Sequence, residues 1–164
     1  MTLSMYSSSV PVLQRYLQQL TQLLSQHEVQ PLLDARLVID MHPLANQIYY
    51  VASFARRIAS ALSQQTPPNI VDQRDLAGLQ QQIATTLQWL ATLDEAQFTG
   101  SELRIITGPA SQAGQATLTL AGQQFLQHYA LPNFFFHFSM VYALLRQAGF
   151  AIGKADFDGF HHYA

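Results

Sequence analysis

Asn133 and His137 are the two polar side chains set four residues apart in the most apolar stretch of the chain, Leu131-Pro132-Asn133-Phe134-Phe135-Phe136-His137. On a helix, positions i and i+4 share a face, so this amide and imidazole aim at a common point. That spacing suits a divalent metal, with His137 as ligand, although an amide oxygen is a hard, neutral donor and zinc or nickel favours imidazole. It equally suits a core histidine whose ring is held by Asn133, in a polar network that fixes packing. Gln47 is a third candidate, on the inward edge of a helical stripe with Val51, Phe54 and Ile58. Buried there it needs a partner, since an unpaired amide costs about 1–3 kcal/mol, and His137 or Asn133 across the fold could supply one. At the margin of the stripe it is a surface glutamine instead. His42, at the start of the same segment, reads as a ligand, a proton shuttle or a cap, with capping or exposure preferred.

The remaining titratable groups are explained by position. His128 precedes Leu131-Pro132 and reads as solvated. The adjacent pair His161-His162 belongs to a tail, where neighbouring side chains diverge. Asp72/Asp75 and Asp94/Glu95 fall at helix ends and read as caps. Asp156 reads as a tail anchor facing Arg146. A Gly-rich phosphate loop and His-Glu-x-x-His are missing, as is Gly-x-Ser-x-Gly. Cysteine is absent, which removes thiol nucleophiles, disulfides and Cys-ligated metals.

Four helical segments must position these groups. The first begins near Ser8 or Ser9, with Pro11 in its first turn, and carries Val10, Leu13, Leu17, Leu20 and Leu24 at 3-4-3-4 spacing. The second runs from about Pro43 to Leu62. The third spans about Asp72 to Leu93, with Asp72 as N-cap. The fourth runs from Pro132 to Gln147, stopped by Gly149, and is apolar nearly all round. A shorter helical piece, Ala121 to Tyr129, leads into it and breaks at Leu131-Pro132. Two β-rich runs, Glu102–Thr107 and Gln115–Leu120, predict an irregular loop or small hairpin between the third and fourth helices. In the tail, Phe157, Phe160 and Tyr163 predict packing.

The 164 residues fit one domain, 1–164. Charged residues are only 11%, against a usual quarter, and the net charge is −2. Nucleic acid is therefore not an expected partner, because no basic field exists to release counterions. A surface so poor in charge is weakly protected against self-association, and with the apolar fourth helix it predicts a homodimer. The most apolar window, Tyr129 to Leu145, is interrupted and shorter than the roughly 20 residues of a membrane span. With no signal-like start, a cytoplasmic protein without membrane contact is expected.

The opening Ser4-Met5-Tyr6 with Ser9-Val10-Pro11, the stretch Asp40-Met41-His42-Pro43-Leu44-Ala45-Asn46-Gln47 and the Pro132-Asn133-Phe134-Phe135-Phe136-His137 block resemble one bacterial family without assigned function. The likeness continues through Tyr142-Ala143-Leu144-Leu145-Arg146 and Gly153-Lys154-Ala155-Asp156-Phe157. That family lies within the DinB/YfiT-like superfamily of metalloenzymes. The resemblance implies an all-α four-helix bundle of up-down-down-up topology, usually dimeric. In the wider superfamily three His bind nickel or zinc, one on the second helix and an i, i+4 pair on the last. Some members are thiol-dependent transferases, others metal-dependent hydrolases or isomerases. Carried onto this chain, the second His of the pair is His137 and the first is Asn133, while Gln47, Tyr49 and Tyr50 occupy the neighbourhood of the helix-two ligand. One ligand of three is matched. The expectation is a small-ligand-binding or structural module with a degenerate metal site, its pocket formed by His137, Asn133, Gln47, His42 and Tyr50, and with no cofactor. The alternative is a working divalent-metal hydrolase or thiol transferase holding zinc or nickel at His137.

Overall fold

The computed structural model describes residues 4–161. Helix α1, Val10–Gln26, starts where its sequence places it. Pro11 sits in the first turn, where its missing N–H costs nothing, and the buried stripe contains Val10, Leu13, Leu17, Leu20 and Leu24. Helix α2, Leu44–Ser63, begins one residue later than Pro43 suggests. Pro43 is extended (ψ 163°) and stands just before the helix, and the Leu44 N–H bonds instead to the Ala35 carbonyl at 2.9 Å.

Helix α3, Leu76–Leu90, corrects the expected start at Asp72 and end at Leu93. Asp72 is drawn away by Arg74, whose Nε and Nη2 both bond its carboxylate. The cap is Asp75, whose Oδ1 accepts the Gly78 N–H at 2.8 Å. The chain folds back so tightly that a Cβ on Gly78 would lie 2.4 Å from that of Gln73, which leaves glycine as the residue that fits.

The segment between α3 and the last long helix forms two nested antiparallel pairs. In the outer pair β1 (Ile105–Ile106) meets β4 (Leu120–Ala121), with Ile105 opposite Ala121. In the inner pair β2 (Gln112–Ala113) meets β3 (Ala116–Thr117), turning at Gly114 with φ 60°. The hairpin expectation holds, with strands shorter than the β-rich runs.

The expected break at Leu131-Pro132 does not occur. A short α4, Gly122–Gln124, passes into a π-helical turn over Phe125–Ala130 and then directly into α5, Leu131–Gln147. Pro132 has no N–H to give, and the wider turn absorbs it: the Leu131 N–H reaches five residues back to the Leu126 carbonyl. A final short helix, α6 (Lys154–Asp158), follows. Here Asp156 does not meet Arg146. Its Oδ2 accepts the Gly153 N–H at 2.7 Å, and Arg146 donates to the Ile152 carbonyl at 2.6 Å.

Four helices of 15 to 20 residues thus carry the fold. Helix α2 packs on both α5 and α3, while α1 packs on α3 and α6. The buried side chains form one contiguous cluster, in which Leu13, Leu17, Ile48, Ile58, Phe134 and Phe138 are fully enclosed. The tail packs as expected at Phe157, whose ring stacks on Phe138 at 4.5 Å. Phe160 departs from that expectation: its ring is exposed, with only the Arg15 guanidinium resting on it at 3.9 Å. Tyr163 and His162 lie outside the described residues.

Candidate functional site

Helix α2 has two useful faces. Val51, Ala55 and Ile58 turn into the core and are completely buried. Beside them Gln47, Tyr50, Phe54 and Arg57 follow one another at 3-4-3 spacing, which lays them along a second stripe. Helix α5 and the π turn before it present Tyr129, Asn133 and His137 at four-residue intervals. Where the two stripes meet there is a cavity of about 440 Å³, within the range of small-molecule sites. Its wall includes His42, Tyr50, Phe54, Asn133 and His137, together with Arg57, Tyr129 and the hairpin tip Gln112–Gly114.

Gln47 does not line the cavity. It is buried behind His137, and its Oε1 faces the ring Nδ1 at 2.7 Å. Its Nε2 donates to the His42 carbonyl at 3.3 Å, which fixes the amide so that Oε1 is the atom offered to the ring. An amide oxygen only accepts, so Nδ1 must carry the ring proton and Nε2 holds the lone pair. Nε2 makes no hydrogen bond among the described residues. The ring is enclosed by Tyr50 (4.8 Å between centroids), Phe54 (5.6 Å) and the edge of Phe136 (5.3 Å). Burial in this apolar cage, and then the nearby His42, lower its pKa from 6.5 to about 4. His137 is therefore a neutral imidazole with a directed lone pair.

Asn133 does not hold the His137 ring. Its Nδ2 donates to the Tyr129 carbonyl one turn back, at 2.7 Å, and Gln47 takes the role that the spacing suggested for Asn133. His42 is exposed and makes no cap; its ring leans on Tyr50 at 5.1 Å, at the rim. His128 is exposed and outside the cavity wall. His161 lies far along the chain in the tail and bonds Asp158 at 2.5 Å.

Arg57 and Tyr129 are the residues that the sequence reading missed. The Arg57 guanidinium lies over the Phe54 ring at 4.6 Å. Its Nη2 donates to the Gln112 carbonyl (2.9 Å), the Tyr129 hydroxyl (3.1 Å) and the Ala110 carbonyl (3.4 Å). The Tyr129 hydroxyl in turn donates to the Gln112 carbonyl. These bonds fasten the hairpin tip against the cavity. The available signal was the 3-4-3 spacing from Gln47, which ends on Arg57.

The family model described as a domain of unknown function, DUF1993, matches residues 5–158. The chain belongs to that family. Its fold is similar to the crystal structure of a DinB family member protein from Shewanella denitrificans, with a TM-score of 0.81 and 27% sequence identity, over 97% of this chain and 94% of that one. No curated protein matches it. The DUF1993 chain is thus DinB-like, mostly helical and of unknown function. His42, Asn133 and His137 supply two imidazoles and an amide, no lining residue is a carboxylate, and the wall already carries a guanidinium. Among the described residues, no three of His, Cys, Asp or Glu come together.

Proposed function

We propose that this DUF1993 chain is a single-domain, up-down-down-up four-helix module whose cavity takes a small polar ligand, at a site that has lost its superfamily's metal-binding set. The observation that carries the reading is His137. It is locked as a neutral acceptor by a buried amide and set in the wall of a 440 Å³ cavity among aromatic rings. Small-molecule sites are built in this way, from apolar walls with a few fixed polar groups. Tyr50 and Phe54 would flank the ligand, while Asn133 and His42 would contact it nearer the rim. Alongside this we propose a cytoplasmic homodimer with no nucleic-acid or membrane partner. The low net charge of −2 supports that, as does a half-exposed Phe136 on α5. Among the described residues no helix is long and apolar enough to cross a membrane.

One observation favours a second reading, a metal-dependent hydrolase or thiol transferase. A hydrogen-bonded Nδ1 with an open Nε2 is how a ligating histidine is oriented by its outer shell. Elemental analysis of protein purified without a His tag separates the two. Substoichiometric zinc and nickel are expected from the module, and one tightly held ion per chain from the enzyme. For the module itself, NMR screening with small polar fragments should shift the signals of Tyr50, Phe54, Asn133 and His137. Fragments that perturb only other surfaces would overturn it.

A further inference from the structure

Among the described residues, Arg57 is a cation with no carboxylate paired to it. None of the residues lining the cavity is Asp or Glu, and the acceptors of Nη2 are two carbonyls and a hydroxyl, all neutral. Nε is buried and bonds to nothing among the described residues, and Nη1 likewise makes no hydrogen bond there. A guanidinium in partial burial is costly until it is paired, and its planar fork matches an oxyanion. Three features hold this one in place: the Phe54 ring beneath it, the Tyr129 hydroxyl and the hairpin carbonyls. Ordering it on ligand entry therefore costs little. The Phe54 ring lies 4.6 Å from the Arg57 guanidinium and 5.6 Å from the His137 ring, so both polar groups border one aromatic wall.

We propose that the ligand of this cavity is a small organic oxyanion, a carboxylate or phosphate on a flat apolar body, with its anionic head on Arg57 and its body against Phe54 and Tyr50. The proposal rests on the reading of the cavity as a ligand site. A hydroxyl or amine on the body would donate to Nε2 of His137, which can only accept while the ring is neutral.

The test uses the unmutated full chain, followed by NMR at the Arg57 Nε–H and at backbone amides, with three probes of similar size: benzoate, phenyl phosphate and the neutral benzamide. Both anions are expected to shift Arg57 Nε–H together with Phe54 and Asn133, and benzamide to bind at least tenfold more weakly. Tighter binding of benzoate points to carboxylates and of phenyl phosphate to phosphates; either supports the proposal. Because Arg57 also anchors the hairpin, the variant to use is Arg57→Lys, which keeps the charge but loses the stacked fork. It should weaken the anions about tenfold and leave benzamide unchanged. Equal affinity for all three probes overturns the oxyanion and leaves the ligand site standing. Shifts confined to residues outside the cavity overturn both.

Discussion

Nδ1 of His137 donates to Oε1 of Gln47 at 2.7 Å, joining α5 to α2 across 90 positions of sequence. The bond is one link of a relay, because the same amide donates from its Nε2 to the His42 carbonyl just ahead of α2. One buried side chain of α2 thereby bonds both His137 on α5 and the backbone of His42 just ahead of α2. The relay fixes which nitrogen of His137 is protonated, and so what chemistry the cavity can offer.

Gln47→Leu should therefore cost more than the loss of one ordinary contact. It leaves the Nδ1–H of a largely buried ring unpaired, a penalty of about 1–3 kcal/mol. Urea unfolding should show a lower midpoint with an unchanged slope. Gln47→Glu would place a negative charge against the ring and raise the His137 pKa from about 4. NMR titration of the ring checks that direction.

The corrected start of α3 makes a second test. Asp75→Ala removes the side chain that accepts the Gly78 N–H and should destabilise by about 1 kcal/mol. Asp72→Ala removes an exposed pair with Arg74 and should cost less than that. Parallel thermal unfolding of the two variants decides which aspartate caps the helix; an equal loss in both would contradict the assignment.

The two aspartates also show what the sequence could and could not convey. The stripes of α1 and α2 were legible because apolar residues at 3-4 spacing have one physical solution, burial on a helix face. Asp72 and Asp75 both suit a cap by type, and the choice between them was made by Arg74, which also bonds Asn46 and lies over Tyr49. His137 was visible through its spacing from Asn133, but its partner was not, since Gln47 is brought to it only by the packing of α2 on α5. Arg57 ended a readable stripe, yet a cation there reads as a solvated residue until the hairpin tip is folded over it. The π turn left no local signal beyond Pro132, because its geometry answers to the surrounding helices.

Self-association is expected to run through α5. Phe136 is 50% exposed on a helix whose other aromatic residues are covered, beside a surface with few charges. Sedimentation equilibrium at micromolar concentration should show a dimer, and Phe136→Glu should move it toward the monomer. A monomer in the unmutated protein would remove the dimer from the account.

Added zinc or nickel should change the melting temperature little. Linkage stabilises the native state only as far as the free ion exceeds its dissociation constant, and an incomplete donor set keeps that constant high. A rise of many degrees that disappears in His137→Ala would instead support the metal-dependent reading.

The pH dependence of stability tests the neutral state of His137 most directly. Its pKa is about 4 in the folded chain, against 6.5 for an unburdened ring, because burial and then His42 oppose the charged form. As pH falls below 6.5 the unfolded chain takes up the proton first, while the native ring resists it. The contribution of His137 is thus intact above 6.5, declines as pH drops toward about 4 and levels off below that. Asp72, held below 3.8 by its hydrogen bond to Arg74, loses its contribution as pH falls through 3.8 toward its lower folded value. Urea unfolding between pH 7 and pH 4 should therefore show an acid-side loss that His137→Gln flattens. His42→Gln should retain most of it, since His42 is the smaller of the two causes. An equally steep loss in His137→Gln would mean that the ring titrates alike folded and unfolded, and the caged neutral imidazole would have to be given up.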